Sequence, residues 1–284
     1  RDSAVSQYDN IEYCTTCKIH QGLTASAAAP VFFAPYKIDN TLYVDGALSA
    51  NNPTELAYNE GIRLWPDKNL DLLLSLGTGI PPTETVSDSL FSWASTLTAK
   101  ATDPNVVHQR EALKFNRMRE GPTLADRIYF RFNPKEVSVD MDSTSSKVLE
   151  SLCELTYEYL DLPEMQKELR ELTNAFTAKG YYISSETDFA PVAADKIRVS
   201  FSVHLRIPLE TPHRGFIFNY SPQGKFPPIE KTYDEVEENG TSHRISYVAT
   251  PGSVYEVSIQ LVVGANETPL HISGSPFTVT TGPG

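Results

Sequence analysis

An α/β part followed by an all-β immunoglobulin-like sandwich is the fold class this 284-residue chain predicts. Three observations lead there. In the first two thirds, short apolar runs closed by glycine alternate with helically spaced segments. Near residue 190 the hydrophobic period shortens from about 3.6 residues to about two. Beyond that point turn signals separate the runs, as in a β-sandwich. The expected division is 1–189 and 190–284.

The elements follow in order. Leu42 to Val44 is a short strand candidate that ends at Asp45-Gly46. Pro53 to Leu64 reads as a helix, because Pro53 suits a first turn and Leu56, Ile62 and Leu64 recur at roughly helical steps. Leu70 to Leu76 is an apolar run closing on Gly77-Thr78-Gly79, the pattern of a fully buried parallel strand feeding a tight turn. Thr83 to Ser95 is rich in Ser and Thr and reads as an excursion, and Asn105 to Met118 as a helix. Ile128 to Phe132 is a further strand. Val148, Leu152, Leu155 and Tyr159 mark one amphipathic helix, and Met165, Leu169, Leu172 and Phe176 a second, each with one buried face. Then Val199, Phe201, Val203, Leu205 and Ile207 alternate with mostly polar residues, as do Val257, Ile259, Leu261 and Val263. Shorter strands are expected at Phe216–Tyr220, His243–Val248 and Phe277–Thr280, with turns at Ser221-Pro222-Gln223-Gly224 and Glu238-Asn239-Gly240.

Composition narrows the function classes. The net charge is −12, and from Ile197 onward six Lys/Arg face eight Asp/Glu, so the acidic excess lies mainly upstream. No Lys/Arg cluster reads as a phosphate-backbone footprint, so nucleic acid is not an expected partner. Long-range attraction to anionic membrane is not expected either. No run approaches the eighteen or so apolar residues of a transmembrane helix. Three cysteines make no disulfide framework. Cys14 and Cys17 form a C-x-x-C, for which a structural role is the first expectation and redox or zinc roles the alternatives. No metal or cofactor is implied. Gly77-Thr78-Gly79 lacks the full phosphate-loop pattern. Asn219, Asn239 and Asn266 head glycosylation-type triplets, read as surface-loop hints.

Three segments, in order, carry a family resemblance. They are Thr24–Phe33 (TASAAAPVFF), Tyr43–Pro53 (YVDGALSANNP) and Leu73–Gly79 (LLSLGTG). Together they resemble the patatin-like phospholipases, over roughly residues 11 to 180. The resemblance implies the later part of a three-layer α/β/α domain and a lipid acyl-ester hydrolase of phospholipase A2 or lysophospholipase type. It implies that Asp45 is the general base of a Ser-Asp dyad, with Gly46, Ala47, Asn51, Asn52 and Pro53 as supporting motif residues. A carboxylate within hydrogen-bond reach would take the serine proton as the hydroxyl attacks an ester carbonyl. Gly46 is expected to let the chain turn tightly, and Asn51 and Asn52 to shape the turn and cap the next helix. A phospholipid or other acyl-lipid substrate is implied, with a cytoplasmic location and peripheral membrane attachment as an option.

The chain departs from the family pattern in having no G-x-S-x-G and no glycine-rich oxyanion loop. The nucleophile is expected before Arg1, so the chain is expected to be part of a longer protein and inactive alone. Ser26, Ser49 and Ser75 are assigned structural roles. None of the histidines at 20, 108, 204, 213, 243 and 271 lies in a triad pattern. The alternative is a non-catalytic scaffold in which a remnant domain presents the sandwich to a protein partner.

The sandwich has its own resemblance. His271–Val279 (HISGSPFTV) resembles the closing strand of filamin-type immunoglobulin-like repeats, and Ser246–Val257 (SYVATPGSVYEV) resembles their Y-x-P-x-x-x-G-x-Y-x-V hairpin in compressed form. Such a repeat implies packing, spacing or capture of a peptide partner rather than chemistry.

Overall fold

Two compact units divide the chain, residues 1–56 with 85–109 and residues 57–84 with 110–284. The computed structural model describes residues 17–30, 32–80, 104–118, 127–135, 137, 139, 143–206, 215–222, 229–233, 242–263 and 268–282. The Ser/Thr-rich excursion at Thr83–Ser95, Ile207 and the turn at Glu238-Asn239-Gly240 lie outside the described residues.

The first unit opens with helix α1, Ile19–Ser26, started by Gln21 Oε1 accepting the Lys18 N–H at 2.9 Å. Strands β1 (Tyr36–Ile38) and β2 (Thr41–Tyr43) form an antiparallel hairpin, with Tyr36 opposite Tyr43. Asp39 makes the reversal at φ +52, a left-handed position that aspartate tolerates better than most residues. A single turn, α2 (Ala47–Ala50), precedes α3 (Thr54–Leu64), which runs across the division between the units.

In the second unit β3 (Leu73–Leu76) pairs with β4 (Tyr129–Phe132), parallel and in register from Leu73↔Tyr129 to Leu76↔Phe132. Helix α4, Pro104–Met118, begins in the first unit and continues into the second, where α5 spans Ser146–Asp161 and α6 Pro163–Gly180. Phe130 and Phe132 pack with Leu172 and Ala175 of α6, flanked by Tyr159, Met165 and Leu169. Arg127 fastens the entry to β4. Its guanidinium lies 4.4 Å from the Phe130 ring centroid and reaches Glu168 at 2.6 Å and Glu171 at 3.0 Å. Burial works against its charge, but the two carboxylates outweigh it and leave the Arg127 pKa raised.

Two expectations change here. β3 is not fully buried: Leu76 is 72% exposed, because β4 is its one partner among the described residues and the helical core forms on β4. Of the two helices, only α6 has fully buried residues. α5 is at most half-buried, with Leu155 exposed, and on α6 the buried positions are Leu172, Ala175, Thr177 and Ala178 while Phe176 faces out.

The remaining strands build two antiparallel sheets. One has the order β5-β6-β9 (Tyr181–Ala193, Lys196–Leu205, Ser242–Ala249). The other is β11-β10-β7-β8 (Leu270–His271, Val254–Val262, Gly215–Pro222, Ile229–Tyr233), with β12 (Phe277–Thr280) also on β10. Val199, Phe201 and Val203 of β6 and Tyr247 of β9 share a core with Phe216 and Phe218 of β7 and Val257, Ile259 and Leu261 of β10. The period of two is therefore real. β5 follows α6 directly, so the division expected at residue 190 falls inside this strand. Pro191 sits in β5 beside a register irregularity, on the sheet edge, where a missing N–H is tolerated. The segment read as a hairpin around Thr250-Pro251-Gly252 crosses between sheets instead, since β9 pairs with β6 and β10 with β7. Thr281, 1% exposed, pins this crossing by accepting the Ser253 N–H at 2.8 Å and donating to the Thr250 carbonyl at 2.9 Å.

Candidate active site

Asp45 stands two residues past the end of β2, on a turn stitched to the end of α1. Its N–H donates to the Ala28 carbonyl at 3.0 Å, and the Gly46 N–H donates to the Ser26 carbonyl at 3.2 Å. The small residues of the α1 end permit that approach, and Ala25 and Ala28 are buried. The carboxylate is oriented by its own backbone. Oδ1 accepts the Ala47 N–H at 2.7 Å, an Asx turn that also starts α2. Oδ2 has no hydrogen-bond partner among the described residues. The result is a half-exposed carboxylate with one oxygen held by the backbone.

The neighbouring motif residues have structural work. Asn52 Oδ1 accepts the Thr54 N–H at 3.2 Å and the Thr54 hydroxyl at 2.5 Å, so this buried side chain shapes the entry to α3. Asn51 closes α2 in helical geometry, and Pro53 immediately precedes α3. Gly46 lies at φ −60 and ψ −22, open to any residue, and an added Cβ would meet the Ser26 hydroxyl at an ordinary 3.9 Å. The turn therefore does not demand glycine for its backbone. Ser49 directs its hydroxyl to the Gly46 carbonyl at 3.3 Å, and neither Ser26 nor Ser49 donates to the Asp45 carboxylate.

In the second unit the LLSLGTG segment forms a polar clasp. Arg131 Nη1 donates to the Ser75 hydroxyl at 2.6 Å, and Asn133 Oδ1 accepts the Gly79 N–H at 2.9 Å. A Cβ on Gly77 would collide with the Asn133 side chain, and Gly79 holds φ +115. Both glycines are thus required by geometry, and Ser75 is a structural acceptor. Arg131 and Asn133 were not singled out by the sequence, where Arg131 lay within the strand candidate Ile128–Phe132 and Asn133 just beyond it.

Among the described residues no group of three or more His, Cys, Asp or Glu side chains could hold a metal. Among the described residues no helix is long and apolar enough to cross a membrane. Cys17 is half-buried and Cys153 is exposed on α5, while Cys14 lies outside the described residues.

Residues 6–58, which include this turn, match the family profile Patatin-like phospholipase. Curated relatives agree with that class. Calcium-independent phospholipase A2-gamma of Rattus norvegicus is 31% identical over 193 residues, 66% of this chain and 24% of the relative. The Homo sapiens protein of the same name is 37% identical over 151 residues, covering 50% of this chain and 18% of its own length. Phospholipase A I of Arabidopsis thaliana is 31% identical over 150 residues, covering 50% and 11%. The chain thus spans a quarter or less of these relatives. A solved chain described as "Myokine structure" aligns over 34% of this chain and 93% of its own at 13% identity, with a TM-score of 0.23. The sequence matches support a lipid-hydrolase family for the patatin-like part.

Proposed function

We propose that this chain is the base-bearing part of a patatin-like lipid acyl hydrolase, acting on phospholipid or lysophospholipid esters through a Ser-Asp dyad in which Asp45 is the general base. The observation that carries the reading is the Asp45 carboxylate, held through Oδ1 and open at Oδ2, inside the segment that matches the family. The nucleophile comes from outside these residues, since no G-x-S-x-G occurs among them, and the chain alone has no esterase activity. The enzyme is cytoplasmic and meets its substrate at membrane surfaces. Residues 190–284 belong to an immunoglobulin-like module of filamin type, together with the α6-proximal half of β5. Two antiparallel sheets that share a core, joined by connections that cross from one to the other, support that assignment. The module serves packing or a protein partner.

The test uses a longer polypeptide that carries the upstream serine motif. Asp45→Asn keeps an Oδ1 that accepts the Ala47 N–H, so the turn and the melting temperature are expected to hold. Ester hydrolysis is expected to fall by about 10²- to 10⁴-fold, the range for loss of a general base. Undiminished hydrolysis by a folded Asp45→Asn protein would remove Asp45 from the chemistry.

A further inference from the structure

An open cleft of about 820 Å³ lies in the second unit, between the end of α3 with the segment after it and the turn joining β11 to β12. That volume is within the roughly 300–1,000 Å³ typical of small-molecule sites. One wall is apolar and wet: Ile62 is 45% and Trp65 60% exposed, with Ile183 and Phe277 beside them. Such a wall offers apolar surface that a ligand's alkyl chain can take out of water.

At the base of this wall stands Arg206. Its backbone N–H donates to the Gly180 carbonyl at 2.9 Å, and its guanidinium lies 5.2 Å from the Tyr182 ring centroid. Nη2 donates to the Ser273 hydroxyl at 2.9 Å, and that hydroxyl donates to Asp71 Oδ2 at 2.5 Å. Ser273 is buried and its own N–H is fixed on the Tyr181 carbonyl. The arginine head is therefore held by a buried hydroxyl on a hydrogen-bonded stretch of backbone. Its contact with Asp71 is loose, 3.9 Å from Nη1, and the side chain is 51% exposed. Its other N–H groups have no partner among the described residues. Lys68 and Asp67, of opposite formal charge, also line the cleft.

A fixed, half-exposed guanidinium beside a bare apolar wall has a specific complement. The planar fork accepts a carboxylate through two parallel hydrogen bonds, and an alkyl chain leaving water along the wall adds favourable burial. We propose that this cleft binds a single-chain amphiphile of the fatty-acid class, with its carboxylate on Arg206 and its chain along Ile62, Trp65 and Phe277.

Trp65 reports the test. The chain has two tryptophans, so Trp93→Phe isolates its fluorescence. Titration with laurate below its micellar concentration is expected to give a saturable shift in Trp65 emission, while acetate and dodecyltrimethylammonium do not reproduce it. Arg206→Gln is expected to weaken laurate binding by about tenfold or more, the scale of one charge-assisted hydrogen bond. Asp71→Asn keeps an acceptor for Ser273 but removes the competing charge, so it is expected to tighten binding. Circular dichroism checks the fold of each variant. An absent or unsaturable response would overturn the proposal, as would equal affinity for the cationic amphiphile, an Arg206→Gln protein that binds like the wild type, or an Asp71→Asn protein that binds no more tightly. The readout is binding rather than hydrolysis, so failure here leaves the assignment of Asp45 untouched.

Discussion

Replacing Tyr247 with phenylalanine is expected to stabilise the sheet core. Tyr247 is 1% exposed and its ring lies among Tyr220, Tyr255 and Phe218, with centroids at 4.6, 5.5 and 5.8 Å. Its hydroxyl has no hydrogen-bond partner among the described residues. A buried polar group without a partner costs about 1–3 kcal/mol. Phenylalanine keeps every ring contact and loses only the oxygen, whose missing dispersion contacts cost a few tenths of a kcal/mol. The net expectation is a gain of about 0.5–2 kcal/mol, read from urea denaturation at pH 7. The same site predicts a pH effect. Burial, then the charges of Tyr255 and Tyr220, push the Tyr247 pKa well above its ordinary 10.0. A pKa raised in the folded state contributes stability that is complete below about pH 10 and is lost as pH climbs beyond it. Each group of this kind steepens the alkaline loss by up to about 1.4 kcal/mol per pH unit. Tyr247→Phe should flatten the curve above pH 10 by that amount. A variant less stable than the wild type at pH 7, or one with an unchanged alkaline slope, would refute the argument.

Two further substitutions probe the other core. Gly77→Ala drives a methyl group into the Asn133 side chain and should break its bond to the Gly79 N–H, costing about 1–3 kcal/mol in thermal or urea unfolding. A fully stable Gly77→Ala protein would contradict the clasp. Arg127→Met leaves Glu168 and Glu171 facing each other without their shared cation. It should cost about 1–2 kcal/mol, moderated because the arginine side chain is 31% exposed, and the loss should shrink in high salt. Loss that is indifferent to salt would point to packing on Phe130 instead.

Much of the fold was legible wherever one face is buried. The alternation through Val199, Phe201 and Val203 announced a strand because those side chains do enter a core. Pairing partners were not legible. Nothing local in SYVATPGSVYEV tells β9 and β10 to lie in opposite sheets rather than beside one another. The three-residue β1 is too short for a period, although the Asp39-Asn40 reversal could have exposed it. The Gly77-Thr78-Gly79 turn was visible, but its reason was not, since the side chain that requires Gly77 arrives 56 residues later. Asp45 was singled out through its motif, and the bond to the Ala47 N–H is one an Asp-Gly turn makes by itself. The cleft could not be read at all, because Asp71 and Ser273 meet across 202 positions.

Helix α6 joins two bodies of packed side chains. Leu172 and Ala175 belong to the core on β4, whereas Ala178, one further three-residue step along, is fully enclosed in the core of the two sheets, as is Tyr181 just beyond. A single rigid rod is thus the axle of both. Adding or deleting one residue between Ala175 and Ala178 would turn one end by about 100° and slide it by about 1.5 Å relative to the other. No slack exists to absorb that error, because Gly180 leads into Tyr181 without a linker. The pair of sheets is geared to the helix rather than tethered to it, and a graft that moves it to another protein must carry the last turn of α6 along.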